Sequence, residues 1–273
     1  MIRARKRFGQ HFLEPVWVEK VVKAIAPQPD QAFIEIGPGP GALTRPLTER
    51  AQSVTAYEID RDLAAALEAT APPNLTVVQG DFLTTDISDF RFQSSDVLRV
   101  AGNLPYNVAS PIMFKLVALH AAGVPLVDAT LMLQREVADR LVAPPGSKEY
   151  GVLSILIGHA ADVETVLKLP AGAFRPPPKV LSSLVRLRFR APHPPVKDAA
   201  FFGALVQAVF TRRRKTLANA LLALDGRGGP TLPRPTEALA AAGLDGSRRP
   251  ETLSIAEFAI LADIYSARRS AVL

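Results

Sequence analysis

The chain has 273 residues, 48% of them apolar, enough to bury a core and too many for a disordered chain. With no cysteine it can form neither disulfides nor thiolate metal sites, and it lacks the uncharged apolar run of about 18 residues that a spanning helix needs. The net charge of +6 is uneven: residues 1–174 hold 16 Lys and Arg against 19 Asp and Glu, whereas residues 175–273 hold 16 against 7. Clustered cations gain affinity for a polyanion by releasing its counterions, so the basic last third suits nucleic acid; a solvated face would look the same. Arg3, Arg5, Lys6 and Arg7 form a second basic cluster. That start has no apolar stretch and no small-residue cleavage site, so the expectation is a cytoplasmic protein.

A helix is predicted over residues 16–25, and then short β-like runs alternate with helical patterns. The runs are 32–36, 53–58, 75–79, 97–101 and 129–133, rich in Val, Ile, Leu and Thr. Helices are expected over 41–50, 61–69, 110–121 and 135–142. Such alternation implies an α/β fold, a mainly parallel sheet covered on both faces, with ligands outside the carboxyl ends of the strands. Residues 151–169 are a further apolar stretch, and SSLVRLRFR at 182–190 reads as one more strand. The proline-rich stretch 191–197 is a natural boundary. The chain is thus expected to divide into a catalytic domain, 1–190, with a basic tail, and a small basic helical domain, 191–273. Within the latter, helices are expected over 201–224, 236–242 and 255–267.

The first strand runs into EIGPGPGAL at 35–43. Gly37, Gly39 and Gly41 allow a tight turn and close approach of backbone to a ligand before a helix begins. Gly37, Gly39 and Ala42 also satisfy the dinucleotide pattern, and Glu58, 21 positions after Gly37, suits a ribose diol in either setting. Three features favour a sulfonium nucleoside, S-adenosylmethionine, over NAD. Glu35 can face a cationic ligand. Pro38 and Pro40 remove two N–H donors that a pyrophosphate would need. Asp81 and Phe82, after the third strand, offer a carboxylate for an adenine amine and a face for its ring. Singly, Glu35 and Asp81 fit turn caps equally well.

The fourth strand ends in AGNLPYNVASP, with Asn103, Leu104, Pro105 and Tyr106. An adenine amine is a weak nucleophile because its lone pair is delocalised into the ring. Two acceptors, the Asn103 side-chain carbonyl and the Leu104 backbone carbonyl, would draw it toward tetrahedral geometry. Pro105 would fix the turn and Tyr106 would stack on an extruded base. Alone, the tetrapeptide also fits an ordinary turn; after the fourth strand of a cofactor fold it reads as a site for adenine in RNA. The four histidines, His11, His120, His159 and His193, show no metal-ligand spacing. His120 and His159 sit in apolar stretches and read as packed.

These residues resemble the KsgA (RsmA) family of small-subunit ribosomal RNA adenine-N6,N6-dimethyltransferases. The likeness covers KRFGQHFL at 6–13, EIGPGPGALT at 35–44, GDF at 80–82, NLPYNVASP at 103–111 and LMLQREVADRL at 131–141. It continues through FRPPPKVLSSLVRL at 174–187, RRRKTLANAL at 212–221 and RRPETLS at 248–254. It implies a Rossmann-like class I methyltransferase sheet with a small carboxyl-terminal helical domain. It further implies dimethylation of two adjacent adenines in a 3′-terminal hairpin of the small-subunit RNA, on an immature 30S subunit; the chain itself is expected to be a monomer. His11, Leu13, Gly37, Glu58, Asp81 and Asn103 would line the cofactor, and Phe174 would stack on the base opposite Tyr106. Phe174 also fits a core aromatic beside a rigid proline segment. The family pattern has Asn where this chain has His11. Arg5, Lys6, Arg7, Arg212, Arg213, Arg214 and Lys215 are the expected phosphate contacts.

Four other readings stand beside this one: a large-subunit RNA adenine methyltransferase, a DNA adenine methylase, a non-catalytic assembly protein of the same fold, and an NAD oxidoreductase. The start and tail motifs weigh against the first, and the intact EIGPGPG and NLPY weigh against the third.

Overall fold

The computed structural model describes residues 11–86, 97–105, 107–224 and 233–270. A short strand β1 (Phe12–Leu13) leads into helix α1 (Pro15–Ile25). Pro15 suits a first helical position, where its missing N–H costs nothing, and Val21, Val22 and Ile25 form the buried face. Then come β2 (Gln31–Ile36), α2 (Thr44–Thr48), β3 (Ser53–Glu58), α3 (Arg61–Glu68) and β4 (Leu75–Gln79). They are followed by β5 (Val97–Asn103), α4 (Ala109–Ala121), β6 (Leu126–Gln134) and α5 (Arg135–Leu141). Next are α6 (Val152–Ala160), β7 (Ala161–Leu169), β8 (Phe174–Arg175) and β9 (Ser182–Phe189). The remaining helices are α7 (Ala199–Phe210), α8 (Leu217–Leu221), α9 (Pro235–Ala242) and α10 (Ile255–Ser270).

Among the described residues, seven strands form one sheet in the order β4-β3-β2-β5-β6-β9-β7. The run from β4 to β6 is parallel, as expected, and β9 adds antiparallel to β6. The chain moves outward from β2 to β4, then returns to place β5 on the other side of β2. The strand order therefore reverses between β2 and β5, where open α/β sheets hold ligands. Register does the rest. Ile36 pairs with Tyr57 and Gly102, Glu58 with Gln79, and Asn103 with Met132. Gly37, Glu58, Asp81 and Asn103 thus collect at one edge. An alanine at Gly102 would put its Cβ 2.7 Å from the Ile36 carbonyl, so only glycine permits this close approach of β5 to β2.

Two expected helices differ in extent, and one apolar stretch left unassigned takes a definite form. The helix predicted over 41–50 shrinks to α2, because Gly41 takes a left-handed φ of 85° and prolongs the turn. The apolar stretch 151–169 is helix α6 followed by strand β7, where the sequence changes from an uncharged run to one interrupted by Asp162, Glu164 and Lys168. The helix predicted over 201–224 is broken: residues 211–216 form a turn held by i→i+3 bonds such as Arg212 N to Val209 O, 3.1 Å, and Lys215 N to Arg212 O, 2.8 Å. The break lets Leu217, Ala220 and Leu221 of α8 enter the same core as α7.

The chain divides into two compact units. One comprises residues up to Ala138 with Asp162–Arg190; the other comprises Asp139–Ala161 with residues from Ala191 onward. A single cut after residue 190 therefore misplaces residues 139–161. Helix α6 is apolar round most of its circumference and must be covered. Tyr150 and Ile155 pack with Phe202, Leu205, Phe258 and Leu261 in the core of the second unit. There Ser254 and Glu257 form a reciprocal cap at the start of α10, and Arg248 Nη1 bonds the same glutamate at 2.5 Å.

In the first unit, Arg99 of β5 and Asp128 of β6 are direct strand neighbours, each less than a tenth exposed. Their pairing is bidentate, at 2.8 and 2.7 Å. The remaining guanidinium donors reach the Ile25 and Ala26 carbonyls and Gln31 Oε1, and Arg186 donates to the Ala24 carbonyl. A buried and a half-buried cation thereby satisfy the last carbonyls of α1. Asp128→Ala leaves the buried Arg99 without its carboxylate and should cost about 3–5 kcal/mol, read as a lowered urea midpoint. An unchanged midpoint would mean that neighbouring groups absorb the lost charge.

Candidate active site at the carboxyl edge of the sheet

The loop after β2 holds Gly37, Gly39 and Gly41 at φ of 70°, 58° and 85°. Glu58, at the end of β3, fastens it: Oε2 accepts from Gly39 N at 2.9 Å and Oε1 accepts from Asp60 N at 2.8 Å. A side chain at Gly39 would press on the Phe12 ring, 3.3 Å from its Cβ. The loop is therefore closed on one side by the β1 segment. That segment is held in turn by β8 through a two-residue antiparallel ladder, Phe12 opposite Arg175 and Leu13 opposite Phe174. Glu14 pairs with Arg175, and its N–H donates to the Ala173 carbonyl at 2.8 Å.

Asn103 ends β5, and its Nδ2 donates to the His11 carbonyl at 2.7 Å. A backbone carbonyl can only accept, so this bond settles which end of the amide is nitrogen and leaves Oδ1 as the acceptor on the other side. The His11 ring Nδ1 lies 2.7 Å from the Pro176 carbonyl and by the same reasoning carries a proton. Leu104 N donates to the Met132 carbonyl at 3.3 Å.

Two clefts flank this edge. The first, about 780 Å³, is lined by His11, Phe12, Leu13, Glu35, residues 37–40, Ala42, Leu43, Glu58, Ile59, residues 103–105 and Met132. The second, about 620 Å³, is lined by Ile36, Gly37, Tyr57, Ile59, residues 80–82, Pro105, Asn107, Val108 and Ile112. They share Gly37, Ile59 and Pro105, so one elongated ligand could occupy both. Asp81 caps its own turn, Oδ1 accepting from Leu83 N at 2.9 Å. This bond uses one of its two oxygens. Phe82 lies edge-on to Tyr57, centroids 5.4 Å apart.

Glu35 is 1% exposed, and its Oε2 has no hydrogen-bond partner although the residue lines the first cleft. Burial pushes its carboxyl up to about 7, the Thr44 hydroxyl pulls the other way, and Glu58 adds a smaller push. Glu58 is also raised by burial, opposed by its bonds from Asp60 and Gly39. An orphaned buried carboxylate oxygen facing a cleft is costly unless a donor or cation arrives to meet it.

Most of the expected cofactor residues are thus brought together. Gly41 is the exception: it shapes the turn without lining either cleft. Phe174, expected to stack on the target base, is 3% exposed, packed with Leu13, Met132 and Leu184, and lines neither cleft, because the ladder to β1 turns its ring inward and Arg175 outward. Tyr106, Arg5, Lys6 and Arg7 lie outside the described residues. In the second unit Arg212, Arg214 and Lys215 are exposed on the turn after α7. Arg213 is not: it is half-buried, bonded to the Ser147 carbonyl at 3.2 Å and 3.6 Å from Glu251. His120 stacks on Phe189 and His159 bonds the Pro194 carbonyl at 2.7 Å, in keeping with packed roles. Sequence reading missed Phe12, Ile59 and Met132. Ile59 had a signal in directly following Glu58; in the structure its side chain is 47% exposed.

The profile of the family described as Ribosomal RNA adenine dimethylase matches residues 1–261. The chain belongs to that family. Among similar proteins, one from Salmonella typhimurium named Ribosomal RNA small subunit methyltransferase A is 44% identical over 268 residues, 96% of this chain and 93% of that one. A protein of the same name from Xylella fastidiosa is 43% identical over 264 residues, 95% of each. Of solved structures, a dimethyladenosine transferase from Plasmodium falciparum matches with a TM-score of 0.72 and 25% identity over 92% of this chain and 96% of that one. The 23S rRNA methyltransferase ErmE matches at 0.65 and 28%, over 93% and 99%. As a member of the ribosomal RNA adenine dimethylase family the chain is a methyltransferase with a Rossmann-like sheet, and no helix among its described residues is long and apolar enough to cross a membrane.

The raised Glu35 carboxyl has a consequence for stability. Between its ordinary value of 4.5 and about 7 the folded chain retains a proton that the unfolded chain has released. Stability of the ligand-free protein therefore falls as pH rises through that window, by up to about 1.4 kcal/mol per pH unit. Glu35→Gln cannot ionise and should flatten this part of the profile. Thermal unfolding of both proteins from about pH 5 to about pH 7.5 tests it; parallel profiles would place the titration elsewhere.

Proposed function

We propose that the chain transfers methyl groups from S-adenosylmethionine to the N6 amines of two adjacent adenines in a 3′-terminal hairpin of small-subunit ribosomal RNA, during assembly of the 30S subunit in the cytoplasm. The observation that carries this reading is the Asn103 amide, turned by the His11 carbonyl so that its oxygen is the available acceptor. The names of the most similar relatives support the choice of the small subunit. A large-subunit substrate is the second reading, supported by the likeness to ErmE at lower identity.

The residues present fit the cofactor. When bound, S-adenosylmethionine supplies an electrophilic methyl group on a sulfonium centre. Glu35 offers its orphaned oxygen to the ammonium of the methionine part, directly or through water. Glu58 holds the glycine loop and presents its carboxylate to the ribose diol. Asp81 accepts from the adenine amine, and Phe82 with Ile59 supplies apolar faces to the ring. The paired proline residues Pro38 and Pro40 deprive the loop of donors for a pyrophosphate, which argues against NAD.

On the substrate side, Asn103 Oδ1 and the Leu104 carbonyl accept from the two N–H bonds of the target amine. Both bonds strengthen as positive charge develops on nitrogen, so they stabilise the transition state more than the bound base. Pro105 fixes the turn that follows the two acceptors. Tyr106 supplies the face on which the extruded base stacks. No strong base is needed, because the proton leaves an amine that is already cationic. The second unit acts as the RNA-binding domain, with Arg212, Arg214 and Lys215 on its exposed turn, and Arg5, Lys6 and Arg7 from the amino-terminal segment, contacting phosphates. Arg213 instead holds that turn to Glu251 and Ser147.

Asn103→Ala should lower single-turnover methylation of immature small subunits by about 10²–10³ while S-adenosylhomocysteine binding survives, weakened at most. Tyr106→Phe should be mild and Tyr106→Ala severe. Product mapping with labelled methyl donor identifies the modified nucleosides. Near-normal turnover by Asn103→Ala would show that this amide does not hold the amine.

Neutralising Arg212, Arg214 and Lys215 together should flatten the salt dependence of RNA binding by roughly 0.7–0.9 in logarithmic slope per lost phosphate contact. Arg213→Ala should instead lower thermal stability and leave the slope unchanged. A salt slope lost with Arg213→Ala alone would reverse that assignment.

A further inference from the structure

Helix α4 begins directly after the Asn103 loop; Val108, just before it, and Ile112 within it line the second cleft. One turn beyond Ile112, the Lys115 side chain reaches across to the short turn that follows β4. Its Nζ donates to the Leu83 carbonyl at 2.8 Å and also to the Thr85 carbonyl. The same ammonium lies 5.5 Å from the centroid of the Phe82 ring, within cation–π range. The turn it grips also carries Asp81, whose Oδ1 accepts from Leu83 N and whose carbonyl accepts from Thr84 Oγ1, both at 2.9 Å. One lysine therefore touches the Phe82 ring and the carbonyls of Leu83 and Thr85, just after the two groups proposed to recognise adenine, without lining either cleft itself.

We infer that Lys115 is a positioning residue for cofactor recognition: by fastening the 81–85 turn to α4, it sets the placement of Asp81 and Phe82 and hence the selectivity of the site for adenine. The inference rests on the S-adenosylmethionine reading given above. Its physical basis is the difference between affinity and discrimination. Adenine and hypoxanthine present the same ring face to Phe82, so stacking does not separate them. They differ at position 6, where adenine donates from an amine and hypoxanthine presents a carbonyl oxygen. A carboxylate held rigidly at hydrogen-bond distance gains from the first and is left facing an acceptor by the second. A carboxylate on a loosened turn moves aside, and discrimination falls before all affinity is lost. Because the lysine has three donors and no acceptor, carbonyls are its natural partners. An apolar replacement of similar length keeps the packing and removes the fastening.

The test is calorimetric binding of S-adenosylhomocysteine and of its deaminated analogue, S-inosylhomocysteine, to the full-length wild-type chain and to Lys115→Met. Wild type should prefer the adenine compound by about tenfold, the worth of one such hydrogen bond. In Lys115→Met the affinity for the adenine compound should fall on the order of tenfold and the preference should shrink toward unity. Lys115→Arg, which keeps a cationic donor, should restore much of the preference. Amide exchange at Leu83 should quicken in the Met variant. A Lys115→Met protein that keeps both the affinity and the preference overturns the inference and leaves the cofactor reading intact. Equal weakening of both compounds with a lowered melting temperature also overturns it, since that marks a merely structural lysine. If wild type binds neither compound, the cofactor reading itself fails. Should Lys115→Met not fold, Lys115→Gln is decided by the same ratio.

Discussion

The hydrogen bond from Asn103 Nδ2 to the His11 carbonyl is the constraint on which the site's geometry turns. It joins the end of a central strand to a segment 92 residues earlier in the chain, and it does two things at once. It orients an amide that has no intrinsic preference between its two ends, and it closes the first cleft with the β1 segment. That segment is too short to hold itself. It is kept in place by the two-residue ladder to β8, the Glu14–Arg175 pair and the His11–Pro176 contact. The acceptor proposed for catalysis thus depends on a proline-rich strand remote from it in sequence. A preorganised acceptor of this kind needs no reorganisation as charge develops on the substrate nitrogen.

The electrostatics of the cleft follow from burial. Two carboxylates, Glu35 and Glu58, lie within a low-dielectric edge of the sheet, and both are raised. They are not equivalent. Glu58 has its oxygens committed to backbone donors and acts on the loop's shape; Glu35 keeps one oxygen unmet. A cationic ligand would meet that oxygen and favour the ionised form, so the strain of the empty carboxylate is a measure of what the site is built to receive. Lower in the sheet the same chemistry serves stability. Arg99, Asp128 and Arg186 satisfy one another and the end of α1. The difference is completeness: in that cluster the carboxylate has its partners, whereas at the ligand edge one oxygen does not.

In the second unit, the segment 211–216 shows how a basic run is divided between architecture and surface. Consecutive arginines on a turn point in different directions. Arg213 turns to Glu251 and Ser147, and Arg212, Arg214 and Lys215 remain exposed. The core beneath is closed by the reciprocal Ser254–Glu257 cap with Arg248. Charge counted along the sequence therefore overstates the charge offered to a partner.

By itself the sequence determined the alternation of strands and helices, the glycine loop, and the placement of Glu35, Glu58, Asp81 and Asn103 after successive strands. These are local signals: period-two runs of branched residues, glycines where φ must be positive, and acidic residues at strand ends. The family likeness was also legible there, because it rests on contiguous motifs. What only the tertiary structure decided involves residues far apart in the chain. The orientation of the Asn103 amide depends on His11, and the burial of Phe174 depends on Leu13 across a two-residue ladder. The fastening of the Asp81 turn depends on Lys115, about 30 residues later. The grouping of α6 with the carboxyl-terminal helices depends on which core had room for an all-round apolar helix. None of these has a local periodicity, since each is set by the register in which distant segments meet, and register is fixed only when the sheet assembles.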